Sequence, residues 1–396
     1  MTDHLPRLTA EETAARLGIK LESLYAYVSR GLLTRERTAT GSTFDPLEVE
    51  TFAAKRNGTP GGPRLSATGH ASGRPLMVLD TDIALIEDDE LYFRGRRARD
   101  LAREQGFEAV AAWLWGGRLG FEPFPASTPS PPVAAGETLL DRLSRSVAAR
   151  AADDPLRHDL DPGVLATTGR RIIAAEAGGA GAAGGETIAR RLWTALSTRA
   201  PEASGVATLD AALVLLVDHD LAVSTVAARA AASARASVYG CVQAALGAMD
   251  SALHGNASHA AAILLRRVLE GEDPRSALAS TVAATGRAAP GFGQPMYTAE
   301  DPRATELLAL LADYGPAAPV LDAVAGVADE VGARIGRHPN VDLALAALTL
   351  SAGMPDDSGP GIFAIGRTVG WIAHAMDEYT RTPLRFRPQG RYVGPG

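Results

Sequence analysis

Polar side chains stand in otherwise apolar or loop-like stretches at several places along this 396-residue chain. Asp218-His219-Asp220-Leu-Ala-Val-Ser-Thr225 and Leu253-His254-Gly255-Asn256 each hold a histidine at one end of an Ala-rich segment. A histidine followed by glycine at a helix end can present a ring nitrogen to a ligand, because glycine lets the ligand approach the backbone; the same histidine can equally cap or pack. Gly291-Phe292-Gly293-Gln294-Pro-Met-Tyr297 is a glycine-rich loop, followed by Asp301-Pro-Arg303. His338-Pro-Asn-Val-Asp342 leads into an apolar run, Arg367 interrupts the apolar stretch Phe363 to His374, and Arg385-Phe-Arg387-Pro388 lies near the end. Taken singly, each has a structural reading: Asp342 as a dipole-stabilised cap, Arg367 as the partner of a core carboxylate, Arg303 as a surface cap.

Several chemistries are absent from the pattern. The glycine loop lacks the Lys-Ser/Thr of a P-loop and the spacing of a dinucleotide fingerprint. His254 and His259 are five apart, off the face that a helical zinc pair needs, so no metal site is expected. No Gly-x-Ser-x-Gly elbow occurs, and Cys241 sits in an apolar run.

The elements that must position these residues read as helices. Val226 to Ala236 is helical because Ala loses no side-chain entropy on helix formation, and Tyr239 to Met249 reads as a second close-packed helix. Ala98 to Gly116 has helical period, with Leu101, Phe107, Val110 and Leu114 apolar. Leu76 to Ala84 reads as a short strand, Glu90 to Gly95 follows, and Phe121 to Pro132 is a Pro-rich loop. From Thr138 helical period dominates, broken at 178–185, and Leu343 to Leu348 begins a helix whose first turn carries Asp342. The body from 76 onward is therefore expected to be mainly α, with a large and a small lobe, the small one roughly 230–345.

Composition narrows the class. The net charge of -7 gives no global basic field for nucleic acid. A single cysteine rules out a disulfide framework and fits a reducing compartment. Met1-Thr-Asp-His4 is no signal peptide, and no apolar run reaches the ~18 residues of a membrane span. The expectation is a cytoplasmic protein.

Residues 1–56 form a unit of their own, and 57–75 read as a linker rich in Gly, Pro, Ser and Thr. Thr9-Ala-Glu-Glu12 is a capping box, Gly18 closes the first helix, and Leu21 to Arg30 forms the second. A turn at Thr40-Gly41-Ser42 makes a hairpin, and Pro46 to Lys55 is a further helix. The order resembles the winged helix-turn-helix of the MerR and excisionase type, whose second helix would offer Ser23, Tyr25, Tyr27 and Arg30 to DNA. The segment holds eight Lys/Arg and eight Asp/Glu, so phosphate neutralisation alone gives it little affinity. Packing or protein contact is the competing reading.

In order along residues 76–396, the motifs resemble the citrate synthase family. The matches are Leu91-Tyr-Phe-Arg-Gly95, Asp218 to Thr225, Leu253 to Asn256, Gly291 to Gly293 with Asp301 to Arg303, Pro339 to Asp342, Gly366 to His374, and Arg387-Pro388 with Tyr392-Val-Gly394. The resemblance implies a two-lobed all-helical fold, here preceded by the small winged helix-turn-helix. It implies a homodimer that joins acetyl-CoA to oxaloacetate in a cleft, giving citrate and CoA, with no permanent cofactor and no membrane. On these positions Asp342 matches the base for the acetyl methyl, and His254 matches the donor to the thioester oxygen. His219, Arg303 and Arg367 match groups that hold the oxaloacetate carboxylates. Arg387 matches an arginine reaching in from the partner subunit, and Gly291, Phe292 and Gly293 match part of the CoA site. The residue types agree: a weakly acidic thioester α-proton needs a donor on the carbonyl oxygen, and a dicarboxylate suits arginine forks.

One position departs. After Gly291-Phe-Gly293 the family carries a histidine that polarises the oxaloacetate ketone, and this chain has Gln294. An amide N–H still donates a hydrogen bond there but carries no charge and hands over no proton. Two readings follow: a citrate synthase-type acyltransferase, with 2-methylcitrate synthase as a variant, or a DNA-binding sensor of CoA or oxaloacetate.

Overall fold

The computed structural model describes residues 6–38, 41–57, 78–120, 122–126, 136–177, 185–251, 255–285 and 289–394. Helix dominates. The chain divides into two compact units, one made of residues 1–80, 87–90 and 257–359, the other of 81–86, 91–256 and 360–396.

The first unit begins with β1 (Leu8–Thr9), α1 (Ala10–Leu17), α2 (Leu21–Ser29), β2 (Arg35–Thr38), β3 (Gly41–Phe44) and α3 (Pro46–Asn57). The expected capping box is formed: Thr9 Oγ1 accepts from Glu12 N–H at 3.2 Å and Glu12 Oε2 accepts from Thr9 N–H at 2.7 Å. Gly18 ends α1 in the left-handed conformation at φ 61°, which glycine adopts without a Cβ penalty. The three strands form an antiparallel sheet in the order β1-β3-β2, with Leu8 opposite Phe44 and Arg37 opposite Ser42. Leu8, Leu17, Leu24, Leu33, Phe44 and Val49 close a small core between these elements. Thr40 of the expected turn, and most of the expected linker, lie outside the described residues.

The second unit holds most of the sheet β4 (Ala84–Glu87), β5 (Glu90–Phe93) and β6 (Arg96–Arg97), ordered β4-β5-β6. Of the strand expected over Leu76 to Ala84, residues 76–77 lie outside the described residues, 78–83 are irregular, and β4 starts at Ala84. The helix expected over Ala98 to Gly116 is two helices, α4 (Ala98–Glu104) and α5 (Phe107–Gly116). The break has a cause: Gln105 is extended, Gly106 caps α5, and the Asp210 carboxylate accepts from Phe107 N–H at 3.3 Å. A distant side chain thus satisfies an orphan donor at a helix start.

The same unit continues through α6 (Leu139–Asp153), α7 (Pro162–Glu176), α8 (Ile188–Leu196), α9 (Ala203–Leu216), α10 (Val223–Ser233) and α11 (Val238–Met249). Residues 122–126 are irregular, as expected of the Pro-rich stretch; 121 and 127–132 lie outside the described residues. α10 packs on α11, and α11 on α6 and α7, all within this unit.

The first unit resumes with α12 (Ala257–Leu269), α13 (Pro274–Thr285), α14 (Pro302–Leu311), α15 (Ala318–Ile335) and α16 (Val341–Ser351). α12, α14 and α15 pack around α16, which is buried along most of its length. α3 lies against α13 and α15, with Ala283 touching the small N-terminal core and Arg275 within 3.5 Å of Asp45. α17 (Ser358–Tyr379) completes the helices, and from Pro360 onward it belongs to the second unit. Among the described residues no single helix is long and apolar enough to cross a membrane.

Candidate functional site

In the first unit, three segments converge on the start of α16. Asn340 is its N-cap: the side-chain oxygen accepts from Asp342 N–H at 3.0 Å, while its amide donates to the Gly293 carbonyl at 2.9 Å. The backbone repeats the link, since Asn340 N–H donates to Gly291 O at 2.9 Å and Gly293 N–H to His338 O at 2.8 Å. Phe292 is bridged to Pro339 and is buried. The loop needs its glycines: Gly291 has φ +81°, and a Cβ there would stand 2.8 Å from Leu343 Cβ. Asp342 in the first turn of α16 is thereby fixed beside the 291–293 loop.

Asp301 ties the second helix end to the first. It caps α14, with Pro302 in the first turn, and accepts from Arg303 N–H at 3.1 Å. Its carboxylate also receives Arg303 Nε at 2.9 Å and Nη2 at 2.8 Å, then Val341 N–H at 3.0 Å. Arg303 is 2% exposed. Burial opposes its charge, yet Asp301, Tyr297 and Asp342 together hold its proton more tightly than in a free guanidinium. The cation is thus aligned by a carboxylate and senses Asp342. Gln294 is half-buried, and its side-chain oxygen accepts from Met296 N–H at 3.3 Å. That bond occupies one lone pair of the oxygen, and the carboxamide NH2 is a donor.

In the second unit, α9 ends at Leu216 and the segment Val217 to Ala222 crosses to α10. His219 is 9% exposed, and Asp220 after it has φ +58°, a strained value outside glycine. Arg367 of α17 is 1% exposed, donates from Nε to Leu216 O at 2.7 Å, and lies 4.7 Å over the Phe363 ring. Asp218 accepts from His374 at 2.9 Å, a pairing that sequence reasoning left unassigned.

His254 lies outside the described residues; α11 ends at Met249, and Gly255 approaches the Met249 carbonyl so closely that a Cβ would sit 2.3 Å from it. Arg387 is exposed in the C-terminal segment, held near its base by Leu384 N–H on Ser233 O at 2.8 Å. In the N-terminal part, Tyr25 and Arg30 are exposed and Ser23 partly so, whereas Tyr27 packs on Phe52 with ring centroids 4.9 Å apart. Tyr25 carries Arg35 above its ring at 6.0 Å.

Sequence reasoning missed Asp301, Asn340 and His374 as organisers. The available signals were the Asp-Pro pair at a helix start, the Asn before an apolar run, and the four-residue spacing of Gly366, Gly370 and His374.

Comparison with known proteins bears on these arrangements. The citrate synthase C-terminal domain profile matches residues 135–389. The citrate synthase of Haloferax volcanii is 27% identical over 361 residues, spanning 81% of this chain and 94% of its own. A 2-methylcitrate synthase of Mycobacterium tuberculosis is 26% identical over 360 residues, 80% of this chain and 89% of its own. Among solved structures, the Thermoplasma acidophilum citrate synthase in ternary complex with carboxymethyl coenzyme A and oxaloacetate superposes with a TM-score of 0.69 at 22% identity, covering 81% of this chain and 95% of that one.

Proposed function

The chain belongs to the citrate synthase family, and we propose that it condenses acetyl-CoA with oxaloacetate to citrate and CoA, the entry step of the tricarboxylic acid cycle. The observation that carries the reading is the fixing of Asp342 in the first turn of α16, beside the 291–293 loop and within the field of Arg303.

Asp342 takes a proton from the acetyl methyl, and His254 donates a hydrogen bond to the thioester oxygen where negative charge grows. The resulting carbon nucleophile attacks the ketone carbon of oxaloacetate, and the new alkoxide oxygen takes up a proton. Water then cleaves the thioester, releasing CoA. His219, Arg303 and Arg367 hold the oxaloacetate carboxylates, joined by Arg387 of a second subunit in a homodimer. Gly291, Phe292 and Gly293 cradle part of CoA, and acetyl-CoA is a co-substrate rather than a resident cofactor. Gln294 donates its amide N–H to the ketone oxygen. Losing a well-placed oxyanion donor costs on the order of a hundred- to thousand-fold in rate, and the amide recovers part of that. Similarity to both citrate and 2-methylcitrate synthases makes propionyl-CoA the alternative donor.

The test is CoA release from acetyl-CoA or propionyl-CoA with oxaloacetate, read with a thiol reagent. Turnover is expected in the native protein, to vanish in Asp342→Ala and to rise in Gln294→His. Silence in both the native protein and Gln294→His, with CoA still bound, sinks the reading.

A second reading has its own observation: a small N-terminal group of helices around a three-stranded sheet, with a small apolar core, shares the unit that carries Asp342. In that case CoA changes the affinity of residues 1–56 for DNA, through Ser23, Tyr25, Tyr27 and Arg30. Arg30→Ala would then remove DNA binding and leave turnover untouched; equal DNA binding with and without CoA argues against it.

A further inference from the structure

α17 grips the end of α9 along one face. Gly366, Gly370 and His374 are four residues apart and so fall on the same side of the helix. The two glycines admit the neighbouring backbone. A Cβ at Gly366 would lie 3.0 Å from the Leu213 carbonyl oxygen, and one at Gly370 would lie 2.1 Å from that of Val217. At the first of these turns Arg367 Nε holds Leu216 O at 2.7 Å. Two turns further on, His374 Nε2 lies 2.9 Å from Asp218 Oδ2, both side chains being fully buried. The segment that presents His219 is therefore fastened to α17 just before and just after Val217.

The donor pattern fixes the state of the His374 ring. Arg229 Nη1 lies 3.0 Å from His374 Nδ1. A guanidinium only donates, so Nδ1 must be the bare, accepting nitrogen. Nε2 therefore carries the hydrogen and donates it to Asp218. Arg229 is itself held: Nε and Nη2 reach Glu378 Oε2 at 3.2 and 3.0 Å, and Nη2 reaches Asp377 Oδ2 at 2.8 Å. Arg385 Nε closes the array on Glu378 Oε1 at 2.6 Å. The orientation of the ring is thus dictated from one end by a fixed cation and delivered at the other to the residue preceding His219.

We infer that His374 and Asp218 are positioning residues for His219: the chain Arg229, His374, Asp218 sets where the His219 ring stands for the oxo acid. The inference rests on the proposed role of His219 in holding oxaloacetate. Neither residue touches substrate; both act through the backbone of 217–219. An anchor lost by one side chain shifts a binding group by a fraction of an ångström to an ångström, which is worth roughly ten- to a hundred-fold at an oriented site.

The experiment labels the eight histidines of the full-length protein with 15N and compares native, His374→Leu and His374→Gln proteins, with His219→Ala to assign the resonance. In the native protein His374 is expected as the Nε2–H tautomer; a proton on Nδ1 overturns the inference without recourse to any variant. His219 resonances should move in His374→Leu and return toward native in His374→Gln, whose amide can still donate to Asp218. Resonances of His219 that ignore residue 374 overturn the inference whatever the turnover. Kinetically, His374→Leu should raise the oxaloacetate KM ten- to a hundred-fold and leave the thioester KM unchanged, with His374→Gln restoring most of it. Equal loss for both substrates reveals a general structural role and overturns the positioning. A native protein that binds no oxaloacetate, while His219 still responds to residue 374, defeats the proposed reaction and upholds the positioning.

Discussion

At Gly291 a single side-chain hydrogen separates a working loop from a clash. The residue combines φ +81° with a space in which an added Cβ meets Leu343 Cβ at 2.8 Å. Gly291→Ala should destabilise the first unit by about 2–3 kcal/mol, from backbone strain and overpacking together. Urea unfolding checks it, and an unchanged midpoint would show that α16 yields to the extra methyl. The glycine loop was legible from its sequence because Gly291 and Gly293 interrupt an apolar pattern. Asp301 was not. Locally it is an ordinary cap before proline; its bond to Val341 N–H spans 40 residues and exists only when α14 and α16 start side by side. Asp342, Arg303 and Arg367 were readable as residues of interest. Their settings, one at a capped helix start, one bidentate on Asp301, one on the Leu216 carbonyl, were decided by neighbours far off in sequence.

Among elements, the junction of α4 and α5 illustrates tertiary override of periodicity. Leu101, Phe107, Val110 and Leu114 are all buried, as a single amphipathic helix would have them. Yet Asp210 of α9 takes the Phe107 N–H and the helix restarts there. The burial of Asp210 makes a pH-dependent contribution. Burial first, then the neighbouring Glu108 carboxylate, push Asp210 from 3.8 up to about 7, against the pull of the Phe107 N–H. Between those values the folded protein retains a proton that the unfolded chain has released. The stabilisation is complete below the unfolded value near 4 and is lost as pH rises through about 7. Asp210→Asn, which cannot titrate, should flatten the decline of stability between about pH 4 and 7, followed by thermal unfolding across that range. An equally steep decline in the variant would assign the effect to Glu108 or Glu176, whose carboxyls burial also pushes up.

For the whole molecule, the N-terminal segment is more than an appendage in the structure. Its small core is closed partly by Ala283 of α13, and α3 packs on α13 and α15 of the same unit. Deleting residues 1–57 exposes those faces, and the melting temperature should fall by roughly 1–3 °C, the size of shift expected when about 1–2 kcal/mol is lost from a protein of this length. Calorimetry on the truncated chain decides it; an unchanged melting temperature would show that the segment is carried without supporting the helices beneath it.

The sequence by itself determined the helical class, the capping box at Thr9, the helix ends at glycine and the ordered motifs that mark the family. These are set by contacts within a few residues or by residue identity alone, so they survive without a fold. Only the tertiary structure decided that α4 and α5 are separate, that Asp301 joins two helix starts, and that His374 is a donor locked by Arg229. Each depends on a polar group finding its partner across 40 or more residues. A buried donor or acceptor must be satisfied somewhere, but which distant residue satisfies it is fixed only when the helices pack.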